Sequence, residues 1–112
     1  MSRGKYLGEF EQLVLLAVAR LEDGAYGMSI RREIEANSRR HVAIGAVYST
    51  LERLRDKGYV RGRKGDAPPE RDGRARKFFA LTSAGVSVLE ETRALHERMW
   101  QGLELQRRES KA

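Results

Sequence analysis

The stretch Ile44-Gly45-Ala46-Val47-Tyr48-Ser49-Thr50-Leu51-Glu52-Arg53-Leu54-Arg55-Asp56-Lys57-Gly58-Tyr59-Val60-Arg61-Gly62-Arg63-Lys64 decides how the rest of the chain is read. Ile44, Val47, Leu51 and Leu54 recur at i, i+3, i+7 and i+10, which places them on one face of a helix. Gly58 supplies the stop. The opposite face carries Gly45, Tyr48, Ser49, Glu52 and Arg53. A solvated face ordinarily holds long charged side chains throughout, whereas here small residues sit beside a phenol and a guanidinium. Small residues let a helix backbone approach another surface closely. After Gly58 the period changes, and residues 59–64 read as a β-strand with basic residues at alternate positions.

Downstream, residues 74–81 read as a second basic strand. Between the two lies Gly65-Asp66-Ala67-Pro68-Pro69-Glu70-Arg71-Asp72-Gly73, rich in turn-forming residues. The pair is a β-hairpin whose loop exceeds the usual 2–5 residues. A last helix starts at Thr82, a good N-cap, and runs to roughly Gln106. Val88, Leu89, Thr92, Leu95, His96, Met99, Trp100 and Leu103 share one arc of it. Such a helix is about 37 Å long, while a compact chain of this size has a radius of gyration near 13 Å. It is therefore expected to project from its domain with an apolar stripe, and a second copy of the chain is the simplest cover.

Upstream, residues 7–21 are apolar on nearly every side: Leu7, Phe10, Leu13, Val14, Leu15, Leu16, Ala17, Val18 and Leu21. A helix tolerates this only when others surround it. A strand is the alternative for residues 13–16, but the length without Gly or Pro favours helix. Asp23-Gly24 ends it. Tyr26, Ile30 and Ile34 then mark a one-sided amphipathic helix closing near Ser38, followed by the connector Ser38-Arg39-Arg40-His41. Three helices followed by a β-hairpin is the order of a winged helix-turn-helix. The expected fold is thus α+β, mainly α. Residues 1–81 form a winged helix-turn-helix DNA-binding domain, and residues 82–112 a long C-terminal dimerisation helix.

Composition agrees with a single folded domain. The chain has 112 residues, 40% hydrophobic and 34% charged, and no cysteine. Disulfides, thiolate metal sites and cysteine nucleophiles are excluded, which fits a reducing compartment. No apolar run approaches the roughly 18 residues that span a bilayer. The start, Met1-Ser2-Arg3-Gly4-Lys5, leads into no secretory segment. A cytoplasmic chain without a membrane partner is expected.

The net charge of +6 is unevenly placed. Residues 39–78 hold twelve Lys and Arg against five Asp and Glu, a net of +7, whereas the other residues hold ten against eleven. The positive excess falls on the connector, third helix and hairpin. A local patch of this kind either attracts phosphates or is a solvated basic surface. Periodicity and charge point independently at the same segments, those a winged helix turns toward DNA.

These residues also resemble a known family. Leu7-Gly8-Glu9, Leu13-Val14-Leu15-Leu16-Ala17 and Tyr26-Gly27-Met28-Ser29-Ile30 resemble the PadR family of bacterial transcription regulators. Gly45-Ala46-Val47-Tyr48-Ser49-Thr50-Leu51-Glu52-Arg53-Leu54 resembles its recognition-helix motif. Lys57-Gly58-Tyr59-Val60 resembles the strand entry. Phe78-Phe79-Ala80-Leu81-Thr82-Ser83-Ala84-Gly85 resembles the end of the wing. The chain is similar to the short branch, with one C-terminal helix that crosses to the partner protomer. It departs from the family at Ala43, where Ser or Thr often caps the recognition helix. The resemblance implies a homodimeric repressor on a palindromic operator. It also implies a small aromatic or apolar effector at the dimer interface.

The residues expected to meet DNA are Gly45, Tyr48, Ser49 and Arg53 on the third helix and Arg61, Arg63, Arg74, Arg76 and Lys77 on the wing. Tyr48 either contacts DNA or packs at the helix-turn-helix junction; Arg53 either contacts DNA or pairs with Glu52 or Asp56. Alternation points Arg74 and Arg76 together and Lys77 away. Two of the five wing cations are expected to reach phosphates, which position a protein without reading sequence. Trp100, His96, Met99 and Phe10 are the effector candidates, with interface packing as the other reading of Trp100. Leu7, Val88, Leu89, Leu95, Met99 and Leu103 are expected at the dimer interface. His41 and His96 have no cluster around them, so no metal is expected. No cofactor signature, nucleophile elbow or paired carboxylates argue for an enzyme. The rival reading is a winged-helix protein-interaction module that binds no DNA, and a regulator without any effector is a further one.

Overall fold

The computed structural model describes residues 6–64 and 77–107. Helix α1 (Glu9–Leu21) buries Val14, Leu15, Ala17 and Val18, yet leaves Leu16 46% exposed. Part of its apolar girth is left uncovered. A single 3₁₀ turn, Glu22–Gly24, leads to α2 (Gly27–Ser38), which buries Ile30 and Ile34. The Ser29 hydroxyl holds this entry. It accepts from the Tyr26 N–H at 2.9 Å and donates to the Gly24 carbonyl at 2.6 Å.

Helix α3 (Ile44–Asp56) buries Val47, Thr50, Leu51 and Leu54. The three buried apolar residues belong to the stripe expected from their spacing, and Ile44 packs against the same core. Ala43 sits at the N-cap with no side-chain hydrogen bond, and the first turn relies on the Ala43 carbonyl accepting from the Ala46 and Val47 N–H groups. Gly58 has φ +83°, the left-handed conformation that ends the helix with little strain in glycine.

Strand β1 (Val60–Lys64) pairs antiparallel with β2 (Lys77–Leu81), Val60 opposite Leu81 and Lys64 opposite Lys77. Strand periodicity leaves out a third contributor. Tyr26 bridges Phe78, and the Phe79 N–H donates to the Ala25 carbonyl at 2.8 Å. Val60 and Phe79 face the core, and alternation therefore puts Arg61, Arg63, Phe78 and Ala80 on the outer face.

Helix α4 (Ser83–Trp100) is locked to the turn before the wing. The Thr82 hydroxyl accepts from the Gly85 N–H at 3.0 Å and donates to the Gly58 carbonyl at 2.6 Å. A Cβ at Gly85 would run into the Tyr59 carbonyl, so no side chain fits there. The Thr82-Ser83-Ala84-Gly85 motif is thus a packing device.

Two expectations for this helix are corrected. It stops at Trp100 rather than near Gln106, because Gln101 turns to an extended conformation and Gly102 adopts φ +74°. It is about 27 Å long. Val88, expected at the dimer interface, is 4% exposed and lies in the chain's own core. The radius of gyration is 16.9 Å, above the value of about 13 Å for a compact chain of this length, so the molecule is elongated. Among the described residues, no helix is long and apolar enough to cross a membrane.

Candidate nucleic-acid interface

Gly45, Tyr48, Ser49, Glu52 and Arg53 are all exposed on the face of α3 opposite its buried stripe. Nothing lies within 4 Å of a Cβ built at Gly45, so packing inside the protomer does not require glycine there. Tyr48 packs at the helix-turn-helix junction and is also half exposed. Its ring lies against the start of α2, where a Cβ at Gly27 would come within 2.5 Å of it, yet the residue remains 48% exposed. Ser49 turns its proton back to the Gly45 carbonyl at 2.7 Å, which leaves oxygen lone pairs as its outward function.

Arg53 pairs with neither Glu52 nor Asp56. Its Nε lies 3.7 Å from Glu11 Oε2, and its Nη2 donates to Thr50 Oγ1 at 3.1 Å. Glu52 is instead engaged by Arg55 at 2.6 Å. Glu11 also accepts from Lys57 Nζ at 3.0 Å and from the Gly8 N–H at 2.9 Å. Burial pushes the Glu11 carboxyl up; the Gly8 N–H, Lys57 and Arg53 outweigh it and hold the group below its ordinary value.

The wing joins α3 through an aromatic relay. The Arg63 guanidinium lies 5.2 Å from the Phe78 ring centroid, and Phe78 meets Tyr26 edge-on at 5.4 Å. Arg32 Nη2 donates to the Tyr26 hydroxyl at 3.2 Å. Gly27, next in the chain, carries the Tyr48 ring. Arg63, Phe78, Tyr26, Gly27 and Tyr48 therefore form one chain of contacts from wing to third helix, with Gly27 itself buried. Lys77 is on the other side of the hairpin, its Nζ 5.6 Å from the Phe79 ring. Arg74 and Arg76 lie outside the described residues. Among the described residues, no carboxylate forms an ion pair with Arg32, Arg39, Arg61, Arg63 or Lys77.

Two carboxylates brace the connector. Glu35 accepts from the Val42 N–H at 2.9 Å, with Arg31 and His41 beside it, and that N–H chiefly holds its carboxyl below the usual value. Arg40 is tied to Glu9 at 2.7 Å. The Arg40 hydrogen bond lowers the Glu9 carboxyl, and Glu9 in turn raises the guanidinium.

The far end of the molecule is apolar. Leu95, Met99, Trp100 and Leu103 are 44%, 71%, 56% and 53% exposed. Leu7, Phe10 and Leu89 pack partly against the core. His96 lines a groove of about 440 Å³ with Tyr6, Leu7, Gln12, Thr92 and Leu95. Trp100 lines a separate shallow depression with Ala94, Glu97 and Arg98, and Phe10 and Met99 line neither. Neither of these two depressions brings the four effector candidates together. Among the described residues, no three His, Asp or Glu side chains gather as metal ligands would.

Sequence periodicity assigns no site role to Glu11, Gly27, Arg32 or Phe78 and reads Tyr26 only as part of the apolar face of α2; their roles come from contacts between distant segments. Tyr26, Gly27 and Phe78 fall within the motifs of the family resemblance, whereas Glu11 and Arg32 carry no such signal.

The PadR-like family of transcriptional regulators matches the chain over residues 15–91. Among solved structures, the complex designated RosR-S1, of H. salinarum RosR, is 26% identical with a TM-score of 0.70, covering 90% of this chain and 82% of that one. A PadR-like transcription factor from B. fragilis is 26% identical with a TM-score of 0.68, covering 80% and 82%. A PadR family transcription regulator from C. difficile is 23% identical with a TM-score of 0.66, covering 82% and 90%, and this likeness concerns the fold alone. No curated protein matches. The motifs around Tyr26, Tyr48 and Thr82, the winged helix they build and the family match agree: the chain belongs to the PadR-like family of transcriptional regulators, which are not enzymes.

Proposed function

We propose that this protein is a homodimeric, sequence-specific DNA-binding repressor acting in the cytoplasm. The observation that carries the reading is the chain of contacts from Arg63 through Phe78, Tyr26 and Gly27 to Tyr48. It links Arg63, which among the described residues pairs with no carboxylate, to the small-residue face of α3 and so supports their acting together. Gly45, Tyr48, Ser49 and Arg53 meet base edges in the major groove, while Arg61 and Arg63, joined by Arg74, Arg76 and Lys77 as further candidates, hold phosphates. Phosphate binding fixes register, and α3 then reads sequence.

Residues 1–81 read DNA and residues 82–112 join two copies through Leu95, Met99, Trp100 and Leu103, with Leu16 of α1 in the same contact. Pairing by a two-fold axis spaces two recognition helices about one helical turn apart, near 34 Å, and so requires a palindromic operator. A flat apolar effector lodges where the two α4 helices meet, near His96 and Trp100. There it shifts the dimer to a geometry that no longer matches successive grooves.

Titration of duplex DNA at rising salt tests the reading. Log affinity falls linearly with log salt, with a slope set by several phosphate contacts. Absence of binding at low salt contradicts it and favours a protein-interaction module.

A further inference from the structure

Two polar side chains are buried among the described residues, Glu11 at 8% and Thr50 at 2% exposure. Both hold the same group. Glu11 Oε2 faces Arg53 Nε at 3.7 Å and Thr50 Oγ1 accepts from Arg53 Nη2 at 3.1 Å, while the Arg53 side chain stays 56% exposed. Stability alone does not explain the arrangement. Burying a carboxylate is costly, and apolar side chains of similar volume join helices as well or better. Lys57, at 3.0 Å, already supplies one countercharge to Glu11. The arrangement has a different effect: it restricts the rotamers of the one guanidinium on the exposed face of α3 that points neither at the wing nor at a surface carboxylate.

We propose that Glu11 and Thr50 are positioning residues for Arg53, fixing its guanidinium before DNA arrives so that it discriminates between sequences. The proposal rests on the DNA-binding reading and adds residues to it. An arginine free to swing gives every duplex a charge; one held by two buried partners offers its remaining N–H groups in a single direction, as base-edge recognition requires. Pre-organisation also removes the entropy cost of immobilising a long side chain at the interface. Glu11 is remote from α3 in sequence and reaches it only because α1 packs on that helix.

The test compares two probes, a duplex recovered by selection from random sequence with the wild-type protein and a scrambled duplex of the same composition. The readout is the ratio of the two dissociation constants at fixed salt. Glu11→Gln keeps an acceptor for the Gly8 N–H but loses the charge that holds Arg53. Its ratio falls about threefold to tenfold, the scale of one immobilised side chain. Affinity for the scrambled duplex stays level or rises, because a negative charge has gone. Thr50→Val lowers the ratio likewise and Thr50→Ser restores it. In an Arg53→Ala background, Glu11→Gln moves the ratio less than about twofold.

A purely structural role for Glu11 gives a different signature. Loss of folded protein weakens both probes equally and leaves the ratio unchanged. If the wild type prefers its selected duplex and Glu11→Gln and Thr50→Val both keep the ratio within about twofold, the positioning role is overturned while DNA binding stands. If the wild type shows no preference, the DNA-reading function fails and this inference with it. Should Glu11→Gln not fold, Thr50→Val decides alone.

Discussion

Replacing Leu95 and Met99 together with glutamate should convert the protein to monomers without unfolding it. The two residues are 44% and 71% exposed, which leaves roughly 230 Å² of apolar surface per protomer and about 460 Å² in a symmetric pair. At about 25 cal/mol per Å² the gross gain from covering it is about 11 kcal/mol, an upper bound. Association loses much of that to ordering and desolvation. A remaining third, about 4 kcal/mol, still changes the dimer dissociation constant about a thousandfold, and carboxylates facing each other across a two-fold axis add repulsion. Sedimentation equilibrium at micromolar protein reads the change. A thermal melt supplies the control, since neither side chain is in the buried core. Leu89 is a poorer target because it packs against that core. A double variant that remains dimeric, with its dissociation constant changed less than about tenfold, would refute the assignment of this face to pairing.

Three other outcomes follow from the packing and charge. Gly85→Ala should destabilise the protomer by about 1–3 kcal/mol, because its methyl meets the Tyr59 carbonyl; a urea midpoint equal to wild type contradicts this. Glu11 has its carboxyl held below the ordinary 4.5, so its contribution is complete above that pH and is lost as pH falls through the lower folded value. Glu11→Gln should therefore cost about 1–3 kcal/mol at neutral pH and progressively less in acid, and a difference that grows on acidification contradicts the sign. Arg63→Ala should weaken binding to all duplexes alike and reduce the salt slope by about 1. Phe78→Leu, which removes the ring under the guanidinium, should reproduce part of that loss in affinity; an unchanged slope in Arg63→Ala removes Arg63 from the interface.

Much of this fold is legible one segment at a time. Ile44, Val47, Leu51 and Leu54 declare their helix through spacing alone, and Gly58 marks its end because glycine takes a positive φ with little strain. The exposed set Gly45, Tyr48, Ser49, Glu52 and Arg53 follows from the same wheel. What is hidden depends on contacts between segments far apart. Nothing around Glu11 in sequence announces Lys57 or Arg53, and a glutamate at the start of a helix is ordinarily solvated. Tyr26 and Phe78 meet only after the hairpin folds back on the start of α2. Val88 lies on the apolar arc with Leu95 and Met99, but α4 buries Val88 near its start and exposes Leu95 and Met99 near its end. One stripe therefore serves the core at one end and faces outward at the other. The helix stop at Trp100 is hidden because Leu103 continues the apolar period across Gly102, whose positive φ follows the end of the helix.

In the proposed assembly, two copies set α3 and wing on one side of a duplex. Hydroxyl-radical footprinting on a duplex selected by the wild-type protein tests it most directly. Two protected patches on one face of the DNA, related by a dyad and centred about 34 Å apart, are the predicted result. A single patch, or protection without a dyad, would contradict it.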